Sequence, residues 1–183
     1  MDKPTIPFVP FPKLSRFNRT IYVTEKLDGT NACVYITDEG TIHAASRTRW
    51  ITPQEDNHGF AHWVEANAEE LMQLGPGQHF GEWWGQGIQR TYGLNEKRFS
   101  LFNTERWKDA RPACCHLVPV LAISNKPVDE VIEQQLNRLK YKGSVAVPGF
   151  MNPEGIVIFH SAANMCFKVT LEHDDIPKSL VNA

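Results

Sequence analysis

The stretch that decides the fold lies between residues 20 and 31 and reads Thr20-Ile21-Tyr22-Val23-Thr24-Glu25-Lys26-Leu27-Asp28-Gly29-Thr30-Asn31. Its first half has the residue types of a β-strand, and a lysine, a carboxylate and a glycine follow at the end of that strand. An amine attacks only when it is deprotonated, and a neighbouring carboxylate favours the ammonium unless a divalent cation shares the site. Lys26 and Asp28 therefore predict a nucleophilic amine beside a metal site.

Strands and helices are predicted around this stretch from hydrophobic periodicity and turn residues. The predicted strands are residues 20–25, 31–37, 41–46, 78–84, 98–104, 114–123, 144–147, 155–160 and 165–171. Two main helices are predicted at residues 58–74 and 128–141, each with one apolar face and a glycine just after its end. Pro119 predicts an edge or a bulge within 114–123, and the early prolines predict an extended, irregular start. The predicted fold class is α+β, with antiparallel sheets that carry two main helices.

Composition limits the partners that this chain can have. Its 183 residues, 42% of them apolar and 22% charged, are typical of one globular domain. The formal net charge of −2 gives no overall basic field, so a polynucleotide partner would need a local basic patch. Candidates for that patch are Arg47, Arg49, Arg90, Lys97, Arg98, Arg106 and Lys108. The chain has no apolar run of about eighteen residues, no signal peptide and no zinc-type cysteine spacing, and a cytoplasmic location is expected.

Five further motifs follow residues 24–31 in order. They are Ser46-Arg47, Phe80-Gly81-Glu82-Trp83-Trp84-Gly85, Phe99-Ser100-Leu101-Phe102, Glu154-Gly155-Ile156-Val157-Ile158 and Phe167-Lys168-Val169-Thr170. In this order and spacing they resemble the motifs of the covalent nucleotidyltransferases, which are the ATP-dependent RNA ligases, the DNA ligases and the mRNA capping enzymes. The resemblance is greatest to the RNA ligase branch and spans nearly the whole chain. It implies two sheets flanking a nucleotide cleft, with ATP and Mg²⁺ or Mn²⁺ as cofactors.

The same resemblance implies the chemistry of the reaction centre. Lys26 matches the lysine that attacks the α-phosphorus of ATP and becomes lysyl-AMP. Asp28, Glu82 and Glu154 match carboxylates at the metal site, which act directly or through water, since Mg²⁺ prefers oxygen ligands. Glu82 also matches the carboxylate that accepts hydrogen bonds from the ribose hydroxyls, although a charge on the rim of a strand is an alternative for it.

Other matching residues are expected to contact the nucleotide. Arg47 matches an arginine on the sugar, with Arg49 as its rival. Phe102 matches the aromatic residue that stacks on adenine, with Phe99 and a plain core phenylalanine as alternatives. The remaining expected contacts are made by Glu25 near the adenine edge, by Asn31 near the phosphates and by Lys168 at the α-phosphate. Thr170 stands where many members of the family carry a second lysine. Of the neighbours Trp83 and Trp84, one is expected in the core and one partly exposed.

These expectations combine into one leading hypothesis and two alternatives. The chain is expected to be an ATP-dependent RNA ligase consisting of a single nucleotidyltransferase domain, residues 1–183, without a C-terminal accessory domain. Its expected partner is a polynucleotide with 5′-phosphate and 3′-hydroxyl ends, with RNA favoured, and a partner protein could supply further strand contacts. The alternatives are a DNA-sealing or capping-type transferase, and a non-catalytic nucleotide- or RNA-binding module on the same scaffold. The presence of Lys26 argues against the module, because a binding module needs no nucleophile.

Overall fold

The computed structural model describes residues 5–175, which form two β-sheets with four short or medium helices. The strands are β1 (Ile21–Lys26), β2 (Thr30–Ile36), β3 (Ile42–Ser46), β4 (Trp50–Ile51), β5 (Gly77–Gly85), β6 (Lys97–Leu101), β7 (Cys115–Leu117), β8 (Val120–Ser124), β9 (Gly155–His160) and β10 (Met165–Thr170). The helices are α1 (Phe60–Ala66), α2 (Ala68–Leu71), α3 (Thr104–Trp107) and α4 (Val128–Lys142), and a 3₁₀ turn at Met72–Leu74 follows α2. The α+β prediction is confirmed.

The four-stranded sheet has the order β10-β9-β1-β8 and is antiparallel throughout. The six-stranded sheet has the order β4-β3-β2-β5-β6-β7, and only its last pair, β6 and β7, is parallel. None of the described helices is long and apolar enough to cross a membrane.

Each sheet buries one face against a helix. In β1, Ile21 and Val23 alternate inward and pack with Val131 and Leu139 of α4. In β2, Val34 and its inward neighbours pack with α1 in the largest core cluster. Because side chains alternate along a strand, Lys26 of β1 and Asn31 of β2 lie on the faces that these two helices do not cover.

The predicted strand at 114–123 is two strands in two different sheets. Cys115–Leu117 joins the six-stranded sheet and Val120–Ser124 joins the four-stranded one. Pro119 lies between them, where it has no N–H to donate, and its carbonyl accepts a hydrogen bond from the N–H of Glu25 (2.9 Å). β7 and β8 each lie at the edge of their sheet, so the predicted edge is confirmed, and the proline itself lies at the crossing between the two sheets.

Three other predicted elements differ from the structure. The helix predicted at 58–74 is interrupted at Asn67, whose side-chain amide donates to the carbonyl of Trp63 (2.7 Å) and competes with the helical hydrogen bonds. The strand predicted at 98–104 ends at Leu101, because Asn103 caps α3 by accepting from the N–H of Arg106. Residues 144–147 are a loop and not a strand, because Ser144, Val145 and Ala146 donate to the Glu25 carboxylate.

Trp83 and Trp84 are both buried, so the expectation that one of them is partly exposed is wrong. Trp83 points into the core beneath α1. Trp84 points to the other side of β5 and packs with Leu27 and Tyr92 in a third cluster, whose other members all lie outside the strands. Strand alternation did place the two rings on opposite faces, but both faces of β5 are covered at this point.

Candidate active site

Lys26 is the last residue of β1, and its amine forms an ion pair with Glu154. The distance from Nζ to Oε2 of Glu154 is 2.6 Å, with 22% of the lysine side chain and 9% of the glutamate side chain exposed. β9 begins at Gly155, which lies directly opposite Lys26 in the antiparallel register. The pairing of β1 with β9 therefore brings together two motifs that are far apart in sequence.

The register of this sheet also requires a glycine after Glu154. Gly155 has φ +155°, and a Cβ on it would come within 2.2 Å of the carbonyl oxygen of Val169 on β10. Gly29 is constrained in a similar way, because a Cβ there would lie 2.4 Å from the carbonyl oxygen of Trp83. The glycines of the Asp-Gly and Glu-Gly pairs are therefore required sterically, since the backbone of a neighbouring strand approaches both.

Glu82 lies on β5 and is held by groups from the turn after Lys26. Its Oε1 accepts from the N–H of Gly29 (3.1 Å) and its Oε2 from the amide of Asn31 (3.2 Å). Burial raises the pKa of Glu82 from 4.5 to about 7, although the charge of Lys26 and these two hydrogen bonds oppose the shift. The pKa of this carboxyl group therefore lies near neutrality in the protein without bound ions.

Asp28 is held by Arg90, a residue that none of the sequence motifs contains. The Nε of Arg90 donates to Oδ2 of Asp28 (2.9 Å), and its Nη1 donates to Oδ1 (2.6 Å) and the carbonyl (3.1 Å) of Asn152. The N–H of Asp28 also donates to the hydroxyl oxygen of Tyr92 (2.8 Å). Arg90 thus connects the turn after Lys26 to the segment that leads into Glu154.

The loop that carries Arg90 has an unusual backbone. Gln89, Thr91 and Tyr92 have φ of +47°, +57° and +55°, values that cost energy for residues other than glycine. Tyr92 is buried between Trp84 and Phe150, with ring centroids 4.8 and 4.5 Å away. This packing holds the loop in a strained shape that presents Arg90 to Asp28. Only the positive charge of Arg90 was visible in the sequence.

The three predicted metal-site carboxylates do not form a ready-made ligand cage. Among residues 5–175, no three His, Cys, Asp or Glu side chains stand close enough to hold an ion directly. Each carboxylate is already engaged, Asp28 by Arg90, Glu82 by Asn31 and Glu154 by Lys26. The donor chemistry nevertheless fits Mg²⁺ or Mn²⁺ with retained water, because such ions often use only one or two carboxylates. The assignment of these residues to a metal stays a prediction.

The predicted adenine residue Phe102 lies at a pocket on the open side of the six-stranded sheet. The pocket has a volume of about 440 Å³, a size suited to a small ligand, and Asn31 and Arg106 also line it. Phe80 lies beside Phe102 in the same lining, and the N–H of Phe102 donates to its carbonyl (3.0 Å). Phe99, the rival for stacking, is fully buried in the core and is not available to a ligand. Phe80 is therefore the remaining rival.

Arg47 and Lys168 lie at the exposed margins of the site. Ser46 pairs with Ala32, so continuing this register by one residue would bring Arg47 opposite Asn31. The guanidinium of Arg49 donates to loop carbonyls, including that of Glu55 (3.1 Å), whereas Arg47 makes no hydrogen bond or ion pair with any described residue. Arg47 is thus better placed than Arg49 to meet a ligand, and its role stays a prediction.

Lys168 lies on β10, on the same face of the sheet as Lys26. It pairs with Val157, which pairs in turn with Thr24 on β1, two residues before Lys26. Thr170 pairs with Gly155 and so lies in the same row across the sheet as Lys26. Its hydroxyl is already bonded to Asp174 (3.2 Å) and to the carbonyl of Glu172 (2.9 Å). Lys168 is exposed on the face of the sheet that carries Lys26, and its contact with a phosphate stays a prediction, while Thr170 adds no charge.

The carboxylate of Glu25 is engaged inside the protein, and the predicted contacts of this residue near the adenine edge, through backbone or side chain, stay a prediction. Its carboxylate lies on the opposite side of β1 from Lys26 and is buried. Oε1 accepts from the hydroxyl of Ser144 (2.6 Å), and Oε2 accepts from the N–H groups of Val145 (2.7 Å) and Ala146 (3.1 Å). The side chain therefore fastens the 144–147 loop, and this is why these residues do not form a strand.

Most of the proposed basic patch is used inside the protein. Each of these side chains has its own partner: Arg90 pairs with Asp28, Lys97 donates to the carbonyl of His58, Arg98 pairs with Glu96, Arg106 lies over Trp107, and Lys108 pairs with Glu105. A phosphate at any of these cations would have to compete with the partner that the cation already has, and the predicted basic patch stays a prediction.

Solved structures of Naegleria gruberi RNA ligase share this fold. One variant with ATP and manganese matches with a TM-score of 0.66 and 22% identity, over 85% of this chain and 51% of that chain. A variant with AMP and manganese matches with a TM-score of 0.61 and 22% identity, over 84% and 50%. An apo variant gives 0.62 and 22%, over 87% and 53%. This chain therefore spans about half the length of the solved ligases that it matches.

A search of curated proteins found no match. The RNA ligase family profile, in contrast, matches residues 19–170, from just before β1 to the last residue of β10. That range contains Lys26, Glu82, Glu154 and Lys168 in the arrangement described above. The chain belongs to the RNA ligase family.

Proposed function

We propose that this protein is an ATP-dependent RNA ligase that uses Lys26 as its nucleophile. The observation that supports the proposal most directly is the convergence of Lys26 and Glu154 at one end of paired strands, with Asp28 and Glu82 around the same turn. An amine among carboxylates is suited to attack on a nucleoside triphosphate once a divalent cation shares the site, because the cation offsets the carboxylates that favour the ammonium. The solved relatives that contain ATP or AMP with manganese support the same reading.

The proposed reaction has three steps. First, Nζ of Lys26 forms a bond to the α-phosphorus of ATP, pyrophosphate leaves and the amine loses its proton. Second, a 5′-phosphate oxygen of the polynucleotide attacks the same phosphorus, breaking the bond to Lys26 and forming a 5′–5′ pyrophosphate link to AMP. Third, a 3′-hydroxyl attacks the 5′-phosphate, AMP leaves and a phosphodiester bond joins the two strands. Each step is an in-line displacement, which depends on positioning and on charge stabilisation.

The side chains around Lys26 would have separate roles in these three steps. Glu154 orients the amine in the resting protein, and their contact has to open before the nitrogen lone pair can reach phosphorus. Lys168 lies on the same face of the sheet and would neutralise the α-phosphate. Asp28, Glu82 and Glu154 would hold a divalent cation, largely through water, and this cation would offset the charge of the phosphates. Phe102 would stack on adenine at the neighbouring pocket.

The substrate is proposed to be RNA with a 5′-phosphate and a 3′-hydroxyl. A sealing assay tests this directly: wild-type protein, ATP and Mg²⁺ are mixed with 5′-labelled RNA or DNA strands of equal sequence. We expect adenylylated and joined RNA with the wild type and neither product with Lys26→Met, while a matched control at the exposed Lys140 of α4, Lys140→Met, retains activity. Preferential joining of DNA would contradict the choice of RNA. Neither product from folded wild-type protein would contradict the proposed function.

A further inference from the structure

An extended arm, residues 5–19, leads into β1 from outside the four-stranded sheet. Its C-terminal part is anchored: the Ser15 hydroxyl donates to the carbonyl of Ala162 (3.0 Å), and Phe17 stacks on His160 with ring centroids 6.2 Å apart. His160 also donates through Nε2 to the carbonyl of Phe17 (2.6 Å). Residues 7–16 form neither helix nor strand and are exposed. The arm is therefore attached at one end and presented to solvent along the rest of its length.

The sequence of the arm has a period of three. Pro7, Pro10 and Pro12 fix their own φ and hold the residues before them extended, which favours a polyproline-type chain with three residues per turn. Every third residue then shares one side. An apolar stripe is formed by Phe8, Phe11, Leu14 and Phe17, which are 87%, 81%, 76% and 64% exposed. The next stripe continues from Pro7 and Pro10 into Lys13 and Arg16, and Arg19 follows a turn in which its N–H donates to the carbonyl of Phe17 (3.0 Å).

The charge of the arm is opposite to that of the chain. Residues 5–19 contain three cations and no acidic residue, although the whole chain has a formal net charge of −2. The side chains of Lys13, Arg16 and Arg19 are exposed and make no hydrogen bond or ion pair with any residue between 5 and 175. The scattered cations of the body, in contrast, are mostly engaged with neighbours. The arm therefore combines exposed aromatic rings with available positive charge, as proteins that bind single-stranded nucleic acid do.

We propose that the arm binds a single-stranded segment of RNA, with bases stacked on Phe8 and Phe11 and phosphates neutralised by Lys13, Arg16 and Arg19. This inference rests on the proposed function, because it names the surface that holds the RNA ligase's substrate. A chain held extended by proline loses less conformational entropy on binding than a flexible one, which favours the complex.

The arm joins β1 at the end of the strand that is opposite to Lys26, and this position limits what the arm can do. The arm joins β1 at Ile21, and Lys26 lies at the other end of the strand, five residues or about 17 Å away. The arm thus binds the RNA at a distance from the end that reacts at Lys26. It increases the affinity for RNA without taking part in the reaction. Phosphate contacts supply much of the affinity for a polynucleotide, so three exposed cations close together in sequence would add substantially to binding.

Fluorescence anisotropy with a labelled single-stranded RNA of about twenty nucleotides tests the inference, without ATP and with EDTA present so that no reaction occurs. The paired change Phe8→Ala and Phe11→Ala should weaken binding at least about tenfold. Phe8→Leu with Phe11→Leu should weaken it nearly as much, because leucine is apolar but offers no ring for a base. The matched control, Ile6→Ala with Val9→Ala on the third side of the arm, should change affinity by less than about twofold.

The charge of the arm has its own test. Changing Lys13, Arg16 and Arg19 to glutamine should reduce the slope of log affinity against log salt by about 2, since each phosphate neutralised on a single strand contributes about 0.7. The matched control changes Arg138, Lys140 and Lys142 of α4 to glutamine, which alters the net charge equally and should leave most of the slope intact.

Two results would overturn the inference. One is RNA affinity that the arm variants leave unchanged, which would indicate that the apolar stripe serves a protein partner instead. The other is an equal loss from the α4 control, which would indicate a general charge effect. AMP transfer to Lys26, measured on the same preparations, keeps the two claims apart. Its absence in the wild type would refute the proposed function, whereas an arm without effect on RNA binding would refute only this inference.

Discussion

Glu82 should make the metal-free protein less stable as the pH rises from about 4.5 to 7. Its pKa is about 7 in the folded protein and 4.5 in an ordinary environment, with burial as the main cause. The folded state therefore holds a proton that the unfolded state has released in this range. A group of this kind stabilises the fold fully below the lower pKa, and its contribution is lost as the pH approaches the upper one.

The size of the effect follows from the shift. Two and a half pH units at about 1.4 kcal/mol each correspond to a change of about 3 kcal/mol in the free energy of unfolding. Glu82→Gln has no proton to release, so the stability of this variant minus that of the wild type should rise by about this amount between pH 4.5 and 7 and then level off. Urea unfolding of both proteins in EDTA, at half-unit steps of pH, measures the difference.

Two further variants test whether the pH dependence comes from Glu82 itself. Glu133→Gln, at an exposed position of α4, should give a flat difference over the same range. Lys26→Met should move the midpoint of the Glu82 transition to higher pH, because the charge of Lys26 opposes the shift. A flat difference for Glu82→Gln, or one complete below about pH 5, would refute the view that burial controls this carboxylate.

Three shorter predictions concern other parts of the site. Phe102→Ala should weaken ATP use by roughly tenfold, since stacking on a base contributes about 1–3 kcal/mol. Phe99→Ala should instead lower the free energy of unfolding by about 3–5 kcal/mol. Kinetics of ATP use and thermal melts of both variants would separate the two effects. Arg90→Met should slow AMP transfer in single-turnover assays at least about tenfold with Arg90→Lys partly restoring it, because Asp28 loses a buried partner; equal rates would remove Arg90 from the mechanism. Glu25→Ala should cost about 2–4 kcal/mol of unfolding free energy by leaving three donors unsatisfied, yet it should not change the preference for ATP over GTP; a changed preference would restore the adenine contact.

The parts of the fold that the sequence predicts well are those with a local signal. The alternating pattern before Lys26 placed β1 within one residue of its observed bounds, and α4 was placed more closely still, with only its last residue missed. The motif glycines marked points where strands approach each other, as the contacts of Gly29 and Gly155 show. The family motifs assigned Lys26 and Glu154 to one reaction centre, but the ion pair between them is known only from the structure.

Other features depend on distant parts of the chain and had no local signal. Arg90 reaches Asp28 from a position 62 residues away, through a loop whose positive φ angles occur at residues other than glycine. The partners of the Glu25 carboxylate could not be predicted locally. They lie in the loop at 144–147, which only the tertiary structure brings next to β1. The three-residue spacing of the arm is visible in the sequence, but its exposure and the lack of partners for its cations are not.

Intact mass spectrometry shows whether Lys26 becomes covalently linked to AMP. After incubation with ATP and Mg²⁺, we expect the addition of one AMP, mapped by peptide analysis to Lys26. The adduct should be absent in Lys26→Met, and also when EDTA replaces Mg²⁺. An adduct on another residue, or no adduct on folded wild-type protein, would contradict the account.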